Sequence, residues 1–105
     1  MSIFVLIHRP GSQWQAGVDF PGQDGIMDHI RFMRRLDDEQ RLILGGPFDD
    51  EWTGSSDSTP VGMAIIQADS MREAQELADS DASVQSGLIS VTVRPWGPRM
   101  GSALS

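Results

Sequence analysis

The chain has 105 residues, 39% of them hydrophobic, which suits one small domain with a single core whose burial association would assist. Eight basic residues against fifteen acidic ones give a formal net charge of −7, which repels nucleic-acid phosphates and anionic membrane surfaces. There is no cysteine and no tyrosine, which excludes a disulfide framework, a thiolate nucleophile, Cys-ligated zinc and a phenolic general acid; with no leader pattern and no spanning apolar run, a cytoplasmic location is expected, with neither nucleic acid nor membrane as partner.

Ile3-Phe4-Val5-Leu6-Ile7 is a run of strand formers ended by His8, Arg9 and the breaker pair Pro10-Gly11. A loop of unusual length follows, residues 9–24, punctuated by Gly11, Gly17, Pro21 and Gly22 and carrying Trp14 and Phe20; loops of this length commonly act as lids. From Gly25 to Asp38 an apolar stripe of Ile26, Ile30, Phe32, Met33 and Leu36 opposes Asp28, Arg31, Arg34, Arg35 and Asp38, the pattern of an amphipathic helix. Leu42-Ile43-Leu44 predicts a second strand that turns at Gly45-Gly46-Pro47. Asp49 to Thr59 is a polar acidic loop, and Val61 to Gln67 the third strand. Ser70 and Glu73 form a capping box for a second helix, with Met71, Ala74, Leu77 and Ala78 facing inward. Leu88 to Val93 is a fourth strand before Pro95.

The order β-α-β-β-α-β predicts an α+β, ferredoxin-like fold: a four-stranded antiparallel sheet with both helices on one face. Strands one and three are apolar at nearly every position, as in strands covered on both sides. Two helices cover one face only, so a symmetric homodimer, packed sheet on sheet as a barrel, is expected. Residues 1–96 read as this single domain and 97–105 as a flexible tail.

His29 falls where the first helix should carry a hydrophobe. At about 100° per residue it projects into the stripe between Ile26, Met33 and Leu36, toward a core or a pocket. An imidazole buried without partners costs about 1–3 kcal/mol, so an interior group must hydrogen-bond it or use it. A core histidine with its hydrogen bonds satisfied is the competing reading.

Two stretches, HIRFMRRLDDEQRLILGGPF from His29 and ADSDASVQSGLISVTVRPW ending at Trp96, resemble the YCII-related (YciI-like) family of the dimeric α+β barrel superfamily. The resemblance covers residues 26–96 and strand one, placing the family's helix histidine on His29, its Gly-Pro on Gly46-Pro47, its aspartate on Asp81 and its later glycine on Gly87. It implies a dimer and a His29–Asp81 acid–base dyad, and one characterised relative eliminates chloride from a chlorinated hydroxyhydroquinone. Where the family has Pro and an aromatic after the aspartate, this chain has Ala82 and Ser83, so the pocket is expected to lose a wall and the substrate to differ; Trp14 and Phe20 would supply aromatic surface instead. The family's helix-ending glycine is Gln40 here, so a left-handed helix stop would cost about 1 kcal/mol more than with glycine.

The chemistry implied is cofactor-independent: histidine moves a proton near neutral pH, and a carboxylate on its far nitrogen fixes the tautomer and stabilises the imidazolium. A lyase or isomerase acting on a small molecule is the expected function, and a noncatalytic dimeric binding or structural module is the alternative. A pocket reaching His29 would favour the enzyme, and a packed-in imidazole the module. His8, Trp14, Arg94 and Trp96 are weaker substrate-binding candidates, each with a surface or packing role as its plain reading. Asp49, Asp50 and Glu51 lack the alternation of a calcium loop, and no metal site is expected. Arg31, Arg34, Arg35 and Arg41, balanced by Asp28, Asp37, Asp38 and Glu39, read as a solvated face with ion pairs.

Overall fold

The computed structural model describes residues 1–50 and 59–104; Glu51 and most of the acidic loop lie outside them. Four strands, β1 (Ser2–Pro10), β2 (Leu42–Pro47), β3 (Gly62–Ala68) and β4 (Ile89–Trp96), form one antiparallel sheet in the order β2-β3-β1-β4. The helices α1 (Ile26–Asp38), α2 (Met71–Asp79) and the four-residue α3 (Ala82–Gln85) cover one face, as the ferredoxin-like reading expects. Strand alternation decides what they cover. Phe4, Leu6 and His8 of β1 point under the helices, and Ile3, Val5 and Ile7 point to the uncovered face, where they remain half-buried. The main core joins Phe4, Leu6, Ile66 and Val93 of the sheet to Phe32 and Leu36 of α1 and to Ala74 and Ala78 of α2. Small alanines at i and i+4 let α2 lie close on the sheet. Met71 is exposed rather than inward: it sits in the first turn, about 60° round from Ala74.

The helix ends follow from local chemistry. Ser70 Oγ accepts from the Glu73 N–H, and Glu73 accepts from the Asp69 N–H, one residue before the cap. The same Glu73 carboxylate pairs with Arg41. α1 ends in a Schellman arrangement, with Arg41 N–H bonded to Leu36 O at 2.8 Å and Gln40 N–H to Asp37 O at 3.0 Å. Gln40 accordingly adopts the left-handed conformation at φ 59°, where the family carries glycine.

Two connections differ from the sequence reading. Gly45-Gly46-Pro47 does not turn the chain: it continues β2 as an edge strand, pairing with Ala64, Met63 and Gly62. An edge tolerates the missing N–H of Pro47, and the chain reverses afterwards, where Phe48 N–H bonds Val61 O. The long loop after β1 is not a loose lid. Gly11 and Gln13 donate to the carbonyls of Leu88 and Gly87, each at 2.9 Å, and a Cβ on Gly11 would overlap the Gly87 carbonyl. Beyond them the buried Gln23 amide bonds Gln15 N–H, Gln15 O and Val18 O, all at 2.8 Å, folding the loop around one side chain. Asp19 then caps a 3-10 turn at Phe20–Gly22, which sets Phe20 beside the N-terminal half of α1.

Candidate functional site

The amphipathic pattern aims His29 inward, and its ring is 7% exposed. Its Nδ1 stands 2.6 Å from Asp81 Oδ2. Asp81 is held by α3, which it caps: Oδ1 accepts from the Ser83 N–H at 2.8 Å and from the Ser83 hydroxyl at 2.7 Å. Burial alone pushes the Asp81 carboxyl up, but the His29 and Ser83 hydrogen bonds outweigh it and leave the carboxyl below its usual value. A carboxylate so held accepts from His29 Nδ1–H and leaves Nε2 as the free nitrogen of that ring. Ser83, where the resemblance suggested a lost wall, is fully buried and anchors the carboxylate. Its signal in the sequence was the Asp-x-Ser spacing of a helix cap.

His8 joins the pair from the centre of the sheet, its ring 4.7 Å from that of His29 and edge to face with it. It is 2% exposed, against the expectation of a solvent-facing strand end, because Pro10 rather than His8 ends the strand. Burial first, and the neighbouring His29 second, lower its pKa to about 3, so His8 is neutral at physiological pH. Its Nε2 is the one buried side-chain nitrogen or oxygen without a hydrogen-bond partner among the described residues. His8, His29 and Asp81 place their ligating atoms within 4.8 Å of one another.

The two histidines border a cleft of about 380 Å³ between α1, the 3-10 turn and the β2–β3 edge. Phe20, Ile30, Met33, Leu42 and Met63 give it apolar walls, and α1 adds Arg34 and Asp37. Gly46 and Pro47 form part of the rim, so the Gly-Pro step shapes the cleft instead of reversing the chain. Gly62, the cross-strand partner of His8, sets no side chain over the imidazole, and a Cβ there would come within 3.0 Å of Gly46 O.

The remaining candidates are placed elsewhere. Trp14 packs edge-on against Phe20 at 5.7 Å and faces a neighbouring hollow with Phe48 and Val61, one ring removed from His29. Arg94 and Trp96 pair with Val5 and Ile3 and so project from the uncovered sheet face, opposite the cleft. Strand parity decides this: Val93 and Pro95 are in register with Leu6 and Phe4 on the helix side.

Residues 4–97 match the model of the YCII-related domain. The uncharacterised protein YjpA of Bacillus subtilis is 38% identical over 74 residues, covering 70% of this chain and 78% of YjpA. Among solved structures, the 5-chloro-2-hydroxyhydroquinone dehydrochlorinase TftG of Burkholderia phenoliruptrix, in complex with 2,5-dihydroxybenzoquinone, superposes with a TM-score of 0.60 over 92% of this chain and 95% of its own, at 20% identity. That likeness establishes a shared fold. With a family model spanning nearly the whole length and a relative of this similarity, the chain belongs to the YCII-related family.

Proposed function

We propose that the protein is a cofactor-independent small-molecule enzyme of the lyase or isomerase type, with His29 as the acid–base group and Asp81 as its orienting partner. One observation carries this reading: His29, held at 2.6 Å by the buried Asp81 behind it, lines an open apolar cleft. Asp81 fixes the Nδ1–H tautomer and compensates the imidazolium that forms when Nε2 takes a proton from substrate. A cleft of about 380 Å³ with apolar walls suits a single-ring compound. The TftG structure holds such a ring, 2,5-dihydroxybenzoquinone, in a protein of the same fold. The protein acts in the cytoplasm as a homodimer, whose contact is the uncovered sheet face bearing Val5, Ile65 and Trp96; one helix layer leaves these side chains partly in water.

Two assays decide the matter: chloride release from 5-chloro-2-hydroxyhydroquinone, and ring-proton exchange of 2,5-dihydroxybenzoquinone followed by NMR in D2O. Turnover in either that disappears in His29→Ala supports the acid–base reading. Binding of the quinone with neither reaction accelerated favours the noncatalytic binding module.

A further inference from the structure

His8 takes no part in the dyad, yet it is the buried polar side chain whose environment is least satisfied. Its Nε2 has no partner among the described residues, its ring touches His29, and the cleft reaches it past Gly62. A hydrophobe would fill the same strand position without leaving an unpaired nitrogen, so packing gives no reason for histidine here. Resting on the acid–base reading above, we propose that His8 is a second catalytic residue: a neutral imidazole whose Nε2–H hydrogen-bonds the substrate oxygen on which negative charge develops while His29 moves the proton.

Proton removal by His29 leaves negative charge on the substrate, which a hydrogen-bond donor at this position would stabilise. When His29 Nε2 removes a proton from a C–H or O–H, the electron pair left behind delocalises onto a conjugated oxygen. His29 becomes the cation, compensated by Asp81, while His8 donates a hydrogen bond and keeps its own proton. The proton on His29 then returns to a different atom of the substrate in an isomerisation. In an elimination the leaving group departs as an anion and the proton passes to solvent. Burial holds His8 neutral, so it competes for no proton and adds no second cation beside imidazolium 29. A neutral imidazole that polarises a carbonyl is an established catalytic device. The substrate class follows: a flat, largely apolar compound with a carbonyl, enol or phenol oxygen conjugated to the atom that loses the proton, fitted between Phe20 and Met33.

The test titrates 2,5-dihydroxybenzoquinone into the wild type, His8→Leu and His8→Gln, with melting curves of each ligand-free protein and ¹⁵N shifts of the wild-type imidazoles. The expected result is binding to the wild type with a shift at His8 Nε2. His8→Leu, which melts no lower than the wild type, should bind about tenfold or more weakly, and His8→Gln, which restores a donor near the Nε2 position, should recover most of the loss. Wild-type affinity in His8→Leu, or quinone bound without any change at His8 Nε2, would overturn the role of His8 and leave the dyad reading standing. Should His8→Leu fail to fold, the His8→Gln affinity and the wild-type shift decide alone. A wild type that does not bind the quinone refutes the ring-compound reading of the cleft, and this proposal with it.

Discussion

His29 and Asp81 are 52 residues apart in the chain, and their side chains meet at 2.6 Å because α1 and α3 pack side by side on the same sheet face. Neither side chain is free to act alone: Ser83 fixes the carboxylate, and the carboxylate fixes the ring. His29→Ala and Asp81→Asn should therefore each abolish most of any turnover, and the double variant should lose little more than the worse single one. In stability the cycle should show coupling of about 1–3 kcal/mol by urea denaturation; additivity within about 0.3 kcal/mol would mean that the two residues act independently.

Stability should fall on mild acidification. His8 is held near pKa 3 in the folded chain against 6.5 when unfolded, so between these values the unfolded state binds the extra proton. Stability then rises with pH across the window, by about 1.4 kcal/mol per unit at most from this one group. Asp81, with its pKa lowered on folding, adds loss in the same direction at the acid end, as pH falls below the unfolded carboxylate value. Urea titrations from pH 7 to pH 4 should show the slope in the wild type and a markedly flatter one in His8→Leu. Equal slopes would place the acid sensitivity elsewhere.

What the sequence disclosed was periodic. The helix stripe aimed His29, the element order implied the fold, and the Ser70 cap was read one residue from its full geometry. What it concealed depended on parity and on long-range packing. His8, Arg94 and Trp96 all lie on strands, and which face each takes follows from where the chain enters the sheet, which a run as uniformly apolar as Ile3 to Ile7 does not mark. Gly45-Gly46-Pro47 carries the composition of a turn and becomes an edge strand because pairing with β3 continues past Leu44. Gln23 had no pattern to reveal it, since its three backbone partners come from a loop without periodicity.

That same Gln23 gives a sharp expectation for the loop. Gln23→Ala leaves the Gln15 N–H, Gln15 O and Val18 O without their buried partner, and it should destabilise the protein by about 2 kcal/mol. Hydrogen exchange should quicken first at Gln15, and Phe20 should lose its fixed position against His29. A variant with unchanged melting temperature and loop protection would show that other contacts hold the segment.

Gln40 offers the opposite sign. Its φ of 59° is costly for a side chain with a Cβ, and its backbone makes the local bonds: its N–H donates to Asp37 O and its carbonyl accepts from the Gln67 side-chain amide, both of which glycine retains. Gln40→Gly should stabilise the fold by about 0.5–1 kcal/mol, while Gln40→Val should destabilise it by more. Denaturant midpoints are sufficient to check this, and a loss of stability in the glycine variant would contradict the strain argument.

The uncovered sheet face separates two neighbouring residues that the sequence left equivalent. Leu6 is completely buried beneath the helices, whereas Val5 stands on the other side, in register with Ile65 and Arg94. If two sheets pack face to face, Val5→Asp buries a carboxylate in the apolar contact between protomers, at a desolvation cost, and should yield a folded monomer. Leu6→Asp places the same charge in the core and should unfold the chain whatever its assembly. Sedimentation velocity at micromolar concentration, with circular dichroism on the same samples, distinguishes these outcomes. A wild type that sediments as a folded monomer at every concentration, with Val5→Asp indistinguishable from it, would exclude the sheet-to-sheet dimer.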